Sequence, residues 1–212
     1  MALEKRRLYP SAPRLGRGVE QEWLITEKLD GSNLCFFKKD GILHIAQRNN
    51  IYTLGDMETD ADVQRIAYKG LRDWLRSFGT QLEEELHERS VICGEWLGMG
   101  KLKYEDLMSD DTRFYMFAKA NINENGEMTG RSFNHGLFKY SFRGTGIPGY
   151  IRVVPVVDAM NRLPSREELD DVYEWYYKGR RVEGLVVTSS GKDATIYKYV
   201  RINGSGNLVE HS

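Results

Sequence analysis

Apolar and polar positions alternate along this chain in short runs, broken twice by helical spacing. Residues 23–29, 34–38 and 42–47 read as strands, and Asp40-Gly41 between the last two is a hairpin turn signal. Over 59–78 the spacing changes: Val63, Ile66, Ala67, Leu71, Trp74, Leu75 and Phe78 fall on one helical face. Thr59 and Asp62 have capping-box spacing at its start, and Gly79 is expected to end it, with a short helical piece from Leu82 to His87. Strands follow at 90–97, 113–120 and 151–157. Ser165-Arg166-Glu167-Glu168 starts a second helix, with Leu169, Val172, Tyr173 and Tyr176 facing inward. Two more strands, 184–189 and 194–202, meet at a turn over Ser190-Gly191-Lys192-Asp193, and the Gly/Ser/Asn-rich tail from Asn203 is expected to fray. There is no internal repeat and no low-complexity linker. The order predicts an α+β fold with mostly antiparallel sheet.

At 212 residues, 41% of them hydrophobic, the chain is sized for one domain with a substantial core. A mean hydropathy of -0.53 and the lack of an apolar run near the ~18–20 residues of a membrane span argue against an integral membrane protein. Met1 to Pro10 is charged where a secretory leader would be apolar. The two cysteines, Cys35 and Cys93, lie in apolar stretches and are not expected to make a disulfide scaffold or a zinc cluster, so a reducing cytoplasmic setting is expected. Thirty Lys and Arg against 31 Asp and Glu exclude a histone-like, charge-driven binder of nucleic acid. Acidic residues gather at 57–62, 83–88 and 167–174, which leaves room for a local basic groove elsewhere.

The most informative segment is Glu27-Lys28-Leu29-Asp30-Gly31-Ser32-Asn33. A bare Lys-x-Asp-Gly is ordinarily a hairpin turn preceded by an exposed lysine. A lysine at a strand end can also act as a covalent nucleophile once its ammonium has lost a proton, and a nearby glycine lets a phosphate approach the backbone. Three further residues shift the balance. Glu95 in Cys93-Gly94-Glu95-Trp96, Glu183 before Gly184-Leu185-Val186-Val187, and Lys198 within Ile196-Tyr197-Lys198-Tyr199-Val200 each place a charge in an otherwise apolar strand. Desolvating an unpaired charge costs several kcal/mol, so the three point to one polar cleft between sheets.

In this order, the residues resemble the nucleotidyltransferase domain of the covalent nucleotidyltransferases, the superfamily of ATP-dependent DNA ligases, RNA ligases and mRNA capping enzymes. Lys28-Leu29-Asp30-Gly31 resembles the lysine–nucleotide motif, and Arg48 in Ala46-Gln47-Arg48-Asn49 the arginine that follows it. Gly94-Glu95 resembles the third motif, Phe114-Tyr115-Met116-Phe117 the aromatic one, Glu183-Gly184-Leu185-Val186 the fourth, and Lys198 the fifth. The likeness covers roughly residues 20–202. It implies an adenylation domain of mostly antiparallel sheets with flanking helices around an ATP cleft, spanning residues 1–202, with a flexible tail at 203–212 and no OB-fold domain.

The resemblance also implies roles. Lys28 attacks the α-phosphorus of ATP and holds AMP as a phosphoramidate. Glu27 helps to read the adenine edge, Glu95 accepts from a ribose hydroxyl, and Phe117 and Val186 wall the base. Asp30, Asn33 and Arg48 belong to the nucleotide site, Lys198 neutralises the α-phosphate, and Glu183 holds Mg²⁺ or Mn²⁺. Two departures bear on this reading. The fifth motif of the family carries two lysines two positions apart, whereas here Lys198 stands with Ile196 and Val200, and Arg201 is the candidate substitute. The lysine motif of DNA ligases and capping enzymes ends in Arg; Asn33 is similar to the branch of phage nicked-RNA ligases and RNA-editing ligases. The resemblance thus implies an ATP-dependent RNA ligase acting on a nicked duplex or on RNA ends in the cytoplasm, a host's if the source is viral, either as a minimal catalytic domain or with a separate helper protein. The alternatives are a minimal DNA ligase, a capping guanylyltransferase, or a non-catalytic module that binds nucleic-acid ends.

Other features are discounted. Gly144 to Gly149 precedes no helix and reads as a surface loop rather than a P-loop. His44, His87, His135 and His211 lack metal spacing. Tyr173, Trp175, Tyr176 and Tyr177 are expected to pack a helix, and Lys38-Lys39, Lys101-Lys103 and Arg180-Arg181 to be solvated.

Overall fold

Two antiparallel-rich sheets, packed face to face between helices, frame the chain in a computed structural model that describes residues 22–177, 181–190 and 194–202. The larger sheet has seven strands: β1 is in the other sheet, and here β2 (Ser32–Lys39), β3 (Ile42–Ala46), β4 (Ile51–Thr53), β5 (Ser90–Trp96), β6 (Phe114–Ile122) and β7 (Met128–Ser132) run in the order β4-β3-β2-β5-β6-β7, with β8 (Ile151–Val153) added parallel to β6. The smaller sheet has four: β9 (Val156–Met160), β1 (Trp23–Lys28), β10 (Gly184–Ser189) and β11 (Ile196–Val200), in the order β11-β10-β1-β9. The expected α+β, mostly antiparallel fold is what forms. The β2–β3 hairpin turns at Asp40 and Gly41, both at positive φ (54° and 77°), as the Asp-Gly pair predicted.

Alternation along each strand sorts the core into layers. Leu34, Phe36, Ile92, Trp96, Phe114 and Met116 face α1 (Leu54–Thr59), α2 (Ala61–Ile66) and α3 (Leu71–Glu85), where Val63, Leu71, Trp74 and Leu75 complete the largest cluster. The opposite face carries Cys35, Phe37, Val91, Cys93, Ala118 and Ala120, which meet Ile196 and Ala194 from the smaller sheet. Trp23, Ile25, Leu185, Val187 and Tyr199 on the far side of that sheet pack on Leu169 and Tyr173 of α4 (Arg166–Tyr176). The Ser165–Glu168 capping box opens α4 as expected.

Several expectations are corrected. The helix over 59–78 is three helices: Thr53 and Asp56 form the first capping box, Asp60 caps α2 through its carboxylate, and Gly70 turns the chain at φ 79° before α3. The apolar face survives because all three helices cover the same sheet. Gly79 does not break α3 but lies inside it, where Leu54 packs so closely that a Cβ would meet its Cδ1 at 2.7 Å. The strand over 151–157 is two strands in different sheets, since Pro155 has no N–H for a ladder; Val154 N–H bonds back to Met116 and the Pro155 carbonyl accepts from Glu27 N–H. Cys35 and Cys93 stand opposite each other in the β2–β5 register, Cα atoms 4.1 Å apart, and form a disulfide. Trp175 is 63% exposed on α4, and Lys38 is buried with its ammonium donating to the Glu83 carbonyl. The strands β4 and β7 and a 3₁₀ helix over His135–Ser141 were not expected. Expectations for Met1–Pro10, Arg180, Gly191–Asp193, His211 and the tail from Asn203 lie outside the described residues. Among the described residues, no helix is long and apolar enough to cross a membrane.

Candidate functional site

Lys28 ends β1, in register with Gly184 at the start of β10, and this pairing brings its ammonium into an ion pair with the Glu183 carboxylate. The two side chains are only 16% and 15% exposed. On its other side Gly184 lets β11 come close: a Cβ there would lie 2.0 Å from the Tyr199 carbonyl oxygen. Burial raises the Glu183 carboxyl above the usual carboxylate range, while Lys28 and Lys198 oppose the shift. Glu95, across the cleft on β5, is pushed up to about 8 by burial; Lys28, Lys198 and the Gly31 N–H oppose this, and the Glu183 charge adds to it. Lys28, Glu95, Glu183 and Lys198 therefore form one electrostatic cluster drawn from β1, β5, β11 and the residue before β10, in which burial raises both acids and the two cations oppose the shift.

Asn33 sits opposite Glu95 in the β2–β5 register, and its Nδ2 donates to Glu95 Oε2 at 3.1 Å. Lys198 stands on β11 opposite Val186, exposed toward the same space. Phe117 owes its direction to a β-bulge: Cys93 pairs with Ala118 and Gly94 with Met116, leaving Phe117 as the extra residue. A bulge re-aims the side chain it carries. Phe117 and Val186, from the two sheets, are each half-buried against the same inter-sheet cluster.

The remaining candidate residues make contacts of their own. Glu27 is buried on the opposite face of β1 from Lys28, as consecutive strand residues must be, and its carboxylate accepts from Tyr176 Oη at 2.9 Å. Asp30 accepts at Oδ2 from the N–H groups of Lys101 (2.7 Å) and Leu102 (2.9 Å), so its carboxylate pins the loop after β5. Gly31 is packed against β5 at that junction: a Cβ would lie 2.4 Å from the Trp96 carbonyl oxygen. Arg201, the candidate substitute for a second lysine, is turned onto α4, paired with Asp170 and with Glu174 and lying over the Tyr173 ring. Arg48 is exposed just after β3.

Sequence spacing missed two tyrosines. Tyr68 Oη donates to the Asn33 carbonyl (3.2 Å) and accepts from the Arg48 N–H (3.4 Å), tying the segment between α2 and α3 to both strands. Tyr104 Oη accepts the Asp30 N–H at 2.6 Å beneath the Lys28 turn. Neither stands in a recognisable motif, and their partners lie 35 and 74 residues away in the chain.

Among the described residues, no group of three or more His, Cys, Asp or Glu is placed to hold a metal ion. A divalent cation shared between the Glu183 carboxylate and substrate phosphates nevertheless fits the donor set, because Mg²⁺ is commonly held by one or two carboxylates together with phosphate oxygens.

The comparisons agree with this fold. An archaeal ATP-dependent RNA ligase matches with a TM-score of 0.54 and 15% identity, over 92% of this chain and 48% of that one. A Naegleria gruberi RNA ligase structure with PPi matches with a TM-score of 0.51 and 20% identity, over 85% of this chain and 50% of that one. At such identities the likeness is one of fold, and the chain spans about half the length of these structures. No curated protein matches it in sequence. The family model for RNA ligase matches residues 21–200, and with that match over most of its length the chain belongs to the RNA ligase family.

Proposed function

We propose that residues up to 202 act as the nucleotidyltransferase unit of an ATP-dependent RNA ligase that seals a 5′-phosphate to a 3′-hydroxyl through a lysyl-AMP intermediate. The observation that carries this reading is the Lys28–Glu183 ion pair, recessed in the cleft that Glu95 and Lys198 share. Both comparison proteins are named as RNA ligases, the archaeal one as ATP-dependent, and PPi, bound in the Naegleria gruberi structure, is the group that leaves when an amine attacks the α-phosphorus of ATP.

In the first step the Lys28 ammonium, held in the cleft by its ion pair with Glu183, gives up a proton to solvent. The amine lone pair then forms an N–P bond as the bond to pyrophosphate breaks. Phe117 and Val186 wall the adenine, Glu95 accepts from the ribose, and Lys198 offsets charge on the α-phosphate. Glu183 would hold a divalent cation, which would supply charge neutralisation when bound. A 5′-phosphate oxygen of RNA next displaces Lys28 from the adenylate. The 3′-hydroxyl finally displaces AMP and closes the strand.

Incubation with α-labelled ATP and Mg²⁺, followed by a denaturing gel, tests the reading. Label from ATP and not from GTP is expected on the wild-type chain and none on Lys28→Ala. Labelling of Lys28→Ala at the wild-type level sinks the assignment. The choice of RNA over DNA is read separately by supplying a pre-adenylated strand, where ribose at the 3′-hydroxyl side is expected to seal faster than deoxyribose, since a 2′-hydroxyl both donates and accepts hydrogen bonds.

A further inference from the structure

The basic side chains near the mouth of the cleft fall into two kinds. Arg65 pairs with Asp62, Arg72 and Arg76 pair with Glu58, and Arg113 pairs with Asp110. Lys69 and Lys101 are different. Both are exposed, and like Arg48 and Lys103 neither has a carboxylate partner among the described residues, but Lys69 and Lys101 are the two whose own backbone groups are tied to the elements beside Lys28. Their backbones, however, are fixed. The Lys69 carbonyl accepts from Trp96 Nε1 at 3.1 Å, and its N–H donates to Met99 Sδ at 3.3 Å. The Lys101 N–H donates to Asp30 Oδ2 at 2.7 Å, two residues beyond Lys28. Met99, 42% exposed, touches Lys69 through its sulfur and stands two residues before Lys101. The acidic residues 83–85 lie on α3 and 167–174 on α4, the helices that cover the outer faces of the two sheets, and Asp110 in the loop after Lys101 is paired with Arg113.

Two unpaired ammonium groups on a pinned backbone, flanking a recessed lysine and with an apolar side chain beside them, suit a strand whose phosphates repeat and whose sugars lie between them. Backbone phosphates position a nucleic acid without reading its sequence. We propose that Lys69 and Lys101 clamp successive phosphates of the RNA strand that brings the 5′-phosphate to Lys28. This rests on the ligase reading and extends it to a surface outside the nucleotide cleft. Lys28, Glu183 and Lys198 serve the adenylate inside, and the rim pair serves the strand arriving from outside.

The test uses the full chain and a short 5′-phosphorylated single-stranded RNA with a 3′-fluorescein, without ATP. Binding is followed by fluorescence anisotropy between about 50 and about 200 mM salt. Each lost phosphate contact on a single strand lowers the slope of log K against log salt by about 0.7, so Lys69→Ala/Lys101→Ala is expected to lose about 1.4 of it. The Lys69→Arg/Lys101→Arg variant should keep the wild-type slope. As a charge-matched control, Lys139→Ala/Arg143→Ala removes two exposed cations at the 3₁₀ helix, whose Phe138 packs on the helix-covered face of the larger sheet, and should leave the slope unchanged. Label from α-labelled ATP should form on the rim variant at the wild-type rate.

An unchanged slope in Lys69→Ala/Lys101→Ala, an equal loss in the control, or no RNA binding by the wild type overturns the clamp. So does loss of ATP labelling in the rim variant, which would assign the lysines to the triphosphate tail instead. Because anisotropy is read without ATP, failure of the wild type to take label would count against the ligase reading while leaving the salt slope to decide the clamp.

Discussion

The Asn33 side-chain amide donates to the Glu95 carboxylate at 3.1 Å from the directly opposite position on the neighbouring strand. This pair lies one step along the same face of the sheet from the Cys35–Cys93 disulfide, so the floor of the cleft is cross-linked next to it. Asn33 therefore orients a carboxylate that burial would otherwise leave poorly solvated. Asn33→Asp sets a like charge against Glu95 and removes the donor, whereas Asn33→Ala only removes the donor. ATP affinity measured by calorimetry should fall further in Asn33→Asp than in Asn33→Ala; the reverse order would separate Asn33 from Glu95.

Glu95 also makes stability depend on pH. Its carboxyl rises from 4.5 to about 8 on folding, chiefly through burial. The folded chain thus keeps a proton there that the unfolded chain releases, and stability should fall as pH climbs from 4.5 to about 8. Glu183, raised for the same reason, adds in the same direction. Thermal unfolding in metal-free buffer should show a flatter pH dependence over that window for Glu95→Gln. Parallel curves for variant and wild type would show that Glu95 is ionised in the fold.

Lys198 and Arg201 should separate cleanly. Arg201 spends its guanidinium on Asp170 and Glu174 of α4 and lies 5.3 Å from the centre of the Tyr173 ring. Arg201→Ala is expected to lower the melting temperature while leaving the labelling rate at low temperature near wild type. Lys198→Ala is expected to do the opposite, slowing labelling by about a hundredfold or more, the range seen when one stabilising donor is removed from a developing oxyanion. A labelling defect in Arg201→Ala as large as that of Lys198→Ala would restore Arg201 to the phosphate site.

Gly184 gives a purely steric prediction. A methyl group there would meet the Tyr199 carbonyl oxygen at 2.0 Å, and backbone cannot swing aside as a side chain can. Gly184→Ala should cost at least about 2 kcal/mol by denaturant titration, in the range of overpacked cores. Gly146→Ala, where nothing lies within 4 Å, should be neutral. Equal stability of the two variants would mean that β10 and β11 are farther apart than described.

Signals contained within a few consecutive residues were legible in the sequence. Alternation marked β1, β2, β3, β5, β10 and β11, Asp40-Gly41 marked its hairpin, and Ser165 with Glu168 marked the start of α4, because period and capping act over one turn or one pleat. The order of charged residues in apolar strands likewise pointed to Lys28, Glu95, Glu183 and Lys198 as one site, since a charge on such a strand needs a partner. The same local reading overran the α1–α3 region, where a continuous apolar face hid the cap at Asp60 and the turn at Gly70.

Tertiary structure decided everything that depends on which strands become neighbours. Strand pairing joined Cys35 to Cys93, set Asn33 against Glu95, and brought Lys28 to Glu183 from the far end of the chain. Alternation within β1 turned Glu27 away from Lys28, and the packing of α4 drew Arg201 out of the cleft. The bulge in β6 aimed Phe117, and the loop folding back on Asp30 placed Lys101 on the rim. Sequence carries residue type and local period, whereas the face a side chain shows and the charge it meets are set by register between segments distant in the chain, and a register shift of one residue reverses every face.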